Sequence, residues 1–256
     1  MRKSILIDVS KCMACRACQV SCKQWNQLPA EETTFTGNYE NPTSISPITW
    51  MRVTFKEVED GDKVKWHFGN VRCMHCTDAA CEQVCPAGAI NHTEEGIVHI
   101  DEQKCIGCNW CLSNCPFQVM GFNRRDNVAE KCTMCIDRVN SGLKPACAAA
   151  CPTDAIRFGD RSELISIAEE RVQKLNANGN PAARLYGVEE LDGTGTMFVL
   201  QSSPQDYGLP EDPEVPLSAR AWGHVFSPLR AIAVIAVAFG LWANWSRTKE
   251  IKGKKK

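Results

Sequence analysis

Sixteen cysteines stand in four groups of four, with none left over: Cys12, Cys15, Cys18, Cys22; Cys73, Cys76, Cys81, Cys85; Cys105, Cys108, Cys111, Cys115; and Cys132, Cys135, Cys147, Cys151. Three chemistries could use them. Disulfide frameworks suit small secreted chains, but this chain has 256 residues, and thiols separated by two residues in a tight turn rarely reach disulfide geometry. Zinc sites close a tetrahedron from two separated Cys-x-x-Cys pairs, and only the fourth group is split in that way. Cys-x2-Cys-x2-Cys-x3-Cys is the run that wraps 4Fe–4S clusters, with its fourth cysteine crossing to a second cluster. The first and third groups match it to the residue, and the second widens one gap, Cys76-x4-Cys81. The spacing therefore points to four 4Fe–4S clusters on sixteen thiolates. A c-type haem needs Cys-x-x-Cys-His. His75 lies inside a Cys-x-x-Cys pair and reads as a loop or packing residue.

An internal repeat pairs the groups. "CPAGAI" after the second group matches "CPTDAI" after the fourth, and "IVHIDEQKC" into the third matches "ILIDVSKC" into the first. The first phrase reads as a turn into a short strand, the second as a short alternating strand into a cluster loop. Groups two and three thus form one continuous two-cluster module. Groups four and one supply the two halves of another, into which the first is inserted. With the fourth thiol crossing inside each module, the expected ligand sets are Cys105, Cys108, Cys111 with Cys85; Cys73, Cys76, Cys81 with Cys115; Cys12, Cys15, Cys18 with Cys151; and Cys132, Cys135, Cys147 with Cys22. Proline follows Cys85, Cys115 and Cys151, where it turns the chain away; Lys23 follows Cys22 and departs from that rule. Four paired clusters in a row serve electron transfer.

The fold class expected is α+β: two ferredoxin-like two-cluster modules, one inserted in the other, plus one C-terminal transmembrane helix. The split module covers 1–35 and 130–160 and the inserted module 73–129. Between them, 36–72 holds a β-hairpin around the turn "EDGD", with Trp50 and Trp66 read as packing residues or, for a sharper role, a docking surface. Residues 161–202 form a helix–strand extension. Its helix, over 160–178, is capped by Asp160 with Glu163 completing a box, and it buries Leu164, Ile167, Ala168, Val172 and Leu175; "GTGTMFVLQ" supplies the strand. Its Gly-x-Gly lacks the third glycine of a nucleotide loop. Residues 203–224, rich in proline and acid, read as an extended linker.

A transmembrane helix is expected over 225–247. Ser227 can cap it with Pro228 at its first position, and the nineteen residues from Pro228 to Ser246 span roughly 28 Å at about 1.5 Å per residue, against a hydrocarbon core of about 30 Å. Trp222 and Trp245 suit the interfaces. The tail 248–256 is basic, so it should stay cytoplasmic and the cluster domain should face the periplasm across the inner membrane. No signal peptide is expected before the first strand, so export is expected alongside a partner that bears a twin-arginine signal. The net charge near −1 gives no case for nucleic acid, and no nucleophile or acid–base pair marks a catalytic site.

"IDVSKCMACRACQVSCKQWN" (7–26), "RCMHCTDAACEQVCPAGAI" (72–90), "EKCTMCIDRVNSGLKPACAAACPTDAIRFG" (130–159), the helix "ELISIAEERVQKLNANG" and the single terminal span resemble the iron–sulfur (beta) subunit of membrane-bound formate dehydrogenases, over nearly the whole chain. The four-cluster pattern alone is shared with subunits of other molybdenum enzymes and some hydrogenases. The equivalent electron-transfer subunit of a NiFe hydrogenase or of another molybdopterin oxidoreductase is therefore the alternative. The resemblance implies a large catalytic partner with molybdenum or tungsten bis-pterin, a membrane cytochrome b partner that reduces quinone, and a non-catalytic role for this chain, passing electrons one at a time.

Overall fold

The computed structural model describes residues 2–35, 37–222, 235–237 and 239–242. At its centre is a four-stranded sheet in the order β8–β1–β10–β9, where β1 is Lys3–Asp8, β8 Ile156–Asp160, β9 Arg184–Tyr186 and β10 Thr196–Leu200. β1 runs parallel to β10 (Ile5↔Thr196) and antiparallel to β8 (Ile7↔Ile156). Residues of the two central strands alternate between two cores, as period-two side chains must. Leu6, Met197 and Val199 face α6 (Arg161–Ala177), while Ile5, Ile7, Phe198 and Leu200 face the cysteine loops. Covered on both faces, these strands carry apolar runs rather than the expected alternation, Ile5–Ile7 in β1 and Met197–Leu200 in β10.

The other strands form three hairpins. β2 (Met51–Asp60) and β3 (Lys63–Arg72) make the long one. Its two-residue turn starts at Gly61 with φ +63°, a conformation that glycine adopts without strain. β3 is exposed near this tip and buried towards Arg72. β4 (Ile90–His92) pairs with β5 (Val98–Ile100), and β6 (Gly121–Asn123) with β7 (Val128–Glu130). The β4–β5 and β8–β1 ladders are counterparts. In each, the strand after a Cys-Pro turn pairs antiparallel with the strand that enters a cluster loop, although β8 and β1 lie at distant places in the chain.

Gly121 is where two backbones meet. A Cβ there would fall inside van der Waals contact of Pro47 N and the Ser46 carbonyl carbon, and backbone cannot rotate aside. Gly121→Ala is expected to cost about 1–3 kcal/mol, read as a lower thermal midpoint of the anaerobic protein.

α6 begins one residue after Asp160, but that side chain does not cap it; it pairs instead with Lys3 Nζ at 2.9 Å. Leu164, Ala168 and Leu175 are buried against the sheet, with Ile167 and Val172 partly so. Residues 203–216, extended by sequence, are packed. Tyr207, Leu209 and Val215 are buried, and Tyr207 accepts or donates at His67 Nδ1 across 2.9 Å. α7 (Leu217–Ala221) sets Ala219 against Ala80 and Val84. Most of the expected transmembrane helix, and all of the basic tail, lie outside the described residues. Of that stretch, 235–237 and 239–242 are helical, with Ile235, Val237, Phe239, Leu241 and Trp242 exposed. Among the described residues no helix is long and apolar enough to cross a membrane.

Candidate iron–sulfur centres

Each cysteine loop is built in the same way. A residue two after the first cysteine takes a left-handed conformation: Ala14 (φ +56°), His75 (+49°), Gly107 (+69°) and Met134 (+54°). That turn lets a backbone N–H point at the preceding thiol, as His75 N does to Cys73 Sγ (3.5 Å) and Met134 N to Cys132 Sγ (3.4 Å). The third cysteine of each group rides on a short helix: Cys18 on α1 (Ala17–Trp25), Cys81 on α2 (Ala80–Gln83), Cys111 on α3 (Trp110–Ser113) and Cys147 on α5 (Ala146–Ala149). In the fourth group α4 (Ile136–Asn140) and the loop after it separate Cys135 from Cys147.

The prolines now have a physical account. Gly88, Gln118 and Asp154 each donate their N–H to the carbonyl three residues back, on Cys85, Cys115 and Cys151. Proline occupies the second position of this turn, where its fixed φ fits and its missing N–H is not needed. At Cys22 there is no such turn, because α1 runs on to Trp25. A proline at 23 would break that helix. Lys23 instead donates Nζ to the carbonyls of Pro29 and Ile48, each at 2.6 Å, which ties down the following loop.

The side chains gather in fours. Cys12, Cys15, Cys18 and Cys151 line one small cavity with Ile7, Val53 and Phe68. Cys73, Cys76, Cys81 and Cys115 line another with Val98, Phe117 and Met120. A third has Cys85, Cys105, Cys108 and Cys111 with Ile90 and Ile100. Cys22, Cys132, Cys135 and Cys147 form the remaining cluster: the charges of the other three weigh on Cys22, and those of Cys132 and Cys147 on Cys135. In every case the fourth cysteine of a group joins the first three of a different group. Among the described residues no three His, Cys, Asp or Glu side chains close on a single ion.

Burial, and then the neighbouring thiolates, push the Cys18 and Cys111 thiols up to about 12 and Cys135 up to about 11. Cys22, Cys76 and Cys81 are also raised, for the same reasons. Four crowded, buried thiolates are unfavourable alone, and bound iron removes that penalty by taking up their charge. Cys132 is the exception. Burial works to raise it, but Arg72 and the Met134 N–H outweigh burial and lower it. Donors in fours, apolar walls and N–H groups aimed at sulfur fit 4Fe–4S clusters, which supply one-electron redox chemistry when bound.

His75 is wholly buried, and its Nδ1 accepts from Val98 N at 3.2 Å. Burial, then Lys131 and Arg72, depress its pKa well below the ordinary value, so it stays neutral and serves packing. Trp50 packs with its indole N–H on the Pro47 carbonyl at 2.8 Å. Trp66 remains partly exposed within an aromatic group of Tyr39, Phe55 and Phe68. The residues that sequence reasoning passed over are Arg72 and Lys131, both buried beside thiols. Their signal was a basic residue just before the first cysteine of every group: Lys11, Arg72, Lys104 and Lys131.

Four thiol cages in two interlocked ferredoxin-like modules define a four-cluster electron-transfer protein. Two family patterns agree, each described as a 4Fe-4S dicluster domain, at residues 64–161 and 11–89. The iron–sulfur subunit of the nitrate-inducible formate dehydrogenase of Escherichia coli (strain K12) is 42% identical over 240 residues, 92% of this chain and 82% of its own length. The formate dehydrogenase iron–sulfur subunit of Haemophilus influenzae is 42% identical over 245 residues, 94% of this chain and 78% of its own. The thiosulfate reductase electron transfer subunit of Salmonella typhi is 35% identical over 197 residues, 75% and 94%. The chain belongs to the family of iron–sulfur subunits of formate dehydrogenases and carries four 4Fe–4S clusters as a non-catalytic, electron-transfer subunit.

Proposed function

We propose that this chain carries electrons released from formate by a molybdenum or tungsten bis-pterin subunit to a cytochrome b in the inner membrane, through the four cysteine sets named above. Neighbour relations order those sets. Cys18 lies beside Cys147, and Cys81 beside Cys111, which joins the two sets within each module. Arg72, next to Cys73, bonds Cys132 and Cys147, which joins the modules. The row therefore runs from the Cys12 set through the Cys22 set and the Cys73 set to the Cys85 set.

One contact carries the direction of this row. Trp110, in the last set's loop, meets Trp222 edge-on, with ring centroids 4.5 Å apart. Ser218 Oγ bonds Asn114 Oδ1 just beside it. The apolar segment 228–246 follows Trp222 within six residues, so the Cys85 set is the membrane end. At the other end Cys15 is exposed beside Arg16, which lies over Phe55 at 4.6 Å. With Met13 and Tyr39 exposed there, that face suits the catalytic subunit. The acidic linker and basic tail favour a periplasmic cluster domain and a cytoplasmic C-terminus.

Formate added to the anaerobically purified membrane complex should bleach the clusters, with molybdenum or tungsten in the co-purifying large subunit. Nickel, with bleaching by hydrogen and not by formate, would establish the hydrogenase reading instead. Protease added to intact spheroplasts should cleave the cluster domain; its survival would reverse the proposed topology.

A further inference from the structure

The two inner cysteine sets meet across the module boundary, and there the chain exchanges two buried cations. Arg72 immediately precedes Cys73, yet its guanidinium lies on the other module, donating from Nη2 to Cys132 Sγ at 3.0 Å and from Nη1 to Cys147 Sγ at 3.2 Å. Lys131 immediately precedes Cys132, yet it lines the cavity of Cys73, Cys76, Cys81 and Cys115. Its ammonium donates to the carbonyls of Val98 and Cys132. The two residues are 2% and 3% exposed. Lysine and arginine are almost never so buried without a partner anion. Among the described residues the partners of Arg72 are thiols and those of Lys131 are carbonyls, and no carboxylate pairs with either. Their counterparts on the outer sets differ. Lys104 is an exposed side chain paired with Asp101 at 2.8 Å, and Lys11 is only half-buried.

We propose that Arg72 and Lys131 are positioning charges that raise the reduction potentials of the two inner clusters above those of the outer two, so that an electron entering from either end is drawn to the module boundary. The inference rests on the ligand sets and electron donor proposed above. Net charge and hydrogen bonds to sulfur set the potential of such a cluster, and a fixed charge counts for more in a low-dielectric interior than at the surface. A guanidinium is not deprotonated in proteins, so Arg72 keeps its charge beside the two sulfurs. Each hop moves one electron: one cluster is oxidised by one, its neighbour is reduced by one, and no bond or proton moves. Arg72 and Lys131 each offset the charge of one added electron. Two such cations match the two electrons that oxidation of one formate to carbon dioxide and a proton releases.

The test is an EPR-monitored redox titration of the anaerobically purified complex. Arg72→Gln should make the Cys22-set cluster at least tenfold harder to reduce, a fall of about 59 mV or more for one electron. Lys131→Gln should do the same to the Cys73-set cluster. Arg72→Lys and Lys131→Arg should retain most of the wild-type potential, and the outer two clusters should stay in place throughout. Unmoved potentials in both glutamine variants, or an equal shift of all four clusters, would overturn the proposal. So would loss of a cluster in both the neutral and the charge-conserving variant, since the side chain would then be a structural clamp. A wild-type complex without four cluster signals from this chain would remove the ligand sets beneath the proposal, and the proposal with them.

Discussion

Cys115→Ser should abolish or convert the cluster held by Cys73, Cys76 and Cys81 and leave that of Cys105, Cys108 and Cys111 intact. Cys115 follows the latter three in sequence, but it lines the cavity of Cys73, Cys76 and Cys81 and not theirs. Both Cys76 and Cys81 feel its charge, and it feels that of Cys73. The charges acting on Cys111 come from Cys108, Cys105 and Cys85. The Cys115–Pro116 turn, closed by Gln118 N on the Cys115 carbonyl at 3.1 Å, aims the thiol across the module. Serine keeps the turn but offers a harder donor to a site that selects soft sulfur. The expected readout is one EPR signal of four lost or replaced by a three-iron signal, with iron falling by roughly one to four atoms per chain. Loss of the Cys105-set signal instead would show that the fourth thiol does not cross.

Removing residues 223–256 should detach the complex from the membrane without emptying the cysteine sets. α7 and Trp222 remain, so the Trp110–Trp222 contact and the Val215–Ala219 packing on α2 persist. What goes is the apolar segment 228–246 with its basic tail. Under the proposed topology this segment spans the bilayer, and insertion of a transmembrane helix is effectively irreversible compared with surface attachment, so its loss should move most of the complex to the soluble fraction. Formate-dependent reduction of a soluble dye should continue near its original rate, while quinone reduction falls by roughly tenfold or more, about 1.4 kcal/mol or more in coupling. Quinone reduction that survives truncation would show that the terminal segment does not hold the chain to its acceptor.

Much of this was legible in the sequence because the features repeat. Cysteine spacing is rigid chemistry, and the phrases "CPAGAI" and "CPTDAI" end in Ile90 and Ile156, each of which enters a ladder with a strand leading to a cluster loop. The hairpin was readable from alternation and from Gly61. What the sequence hid depends on contacts between distant residues. Nothing local shows that β1 pairs with β10, Ile5 beside Thr196 across most of the chain's length, or that Asp160 prefers Lys3 to its own helix. Tyr207 and Val215 sit among prolines and acids that imply a free linker, yet the hairpin and α2 bury them. Arg72 and Lys131 look like any basic residue before a cysteine until the fold turns them inward, each onto the other module.

Iron and acid-labile sulfide in this polypeptide, purified and reconstituted without oxygen, test the central claim most directly. Sixteen cysteines in four crossed sets predict about sixteen iron and sixteen sulfide per chain. A limit of about twelve or fewer under full reconstitution would contradict a wire of four clusters.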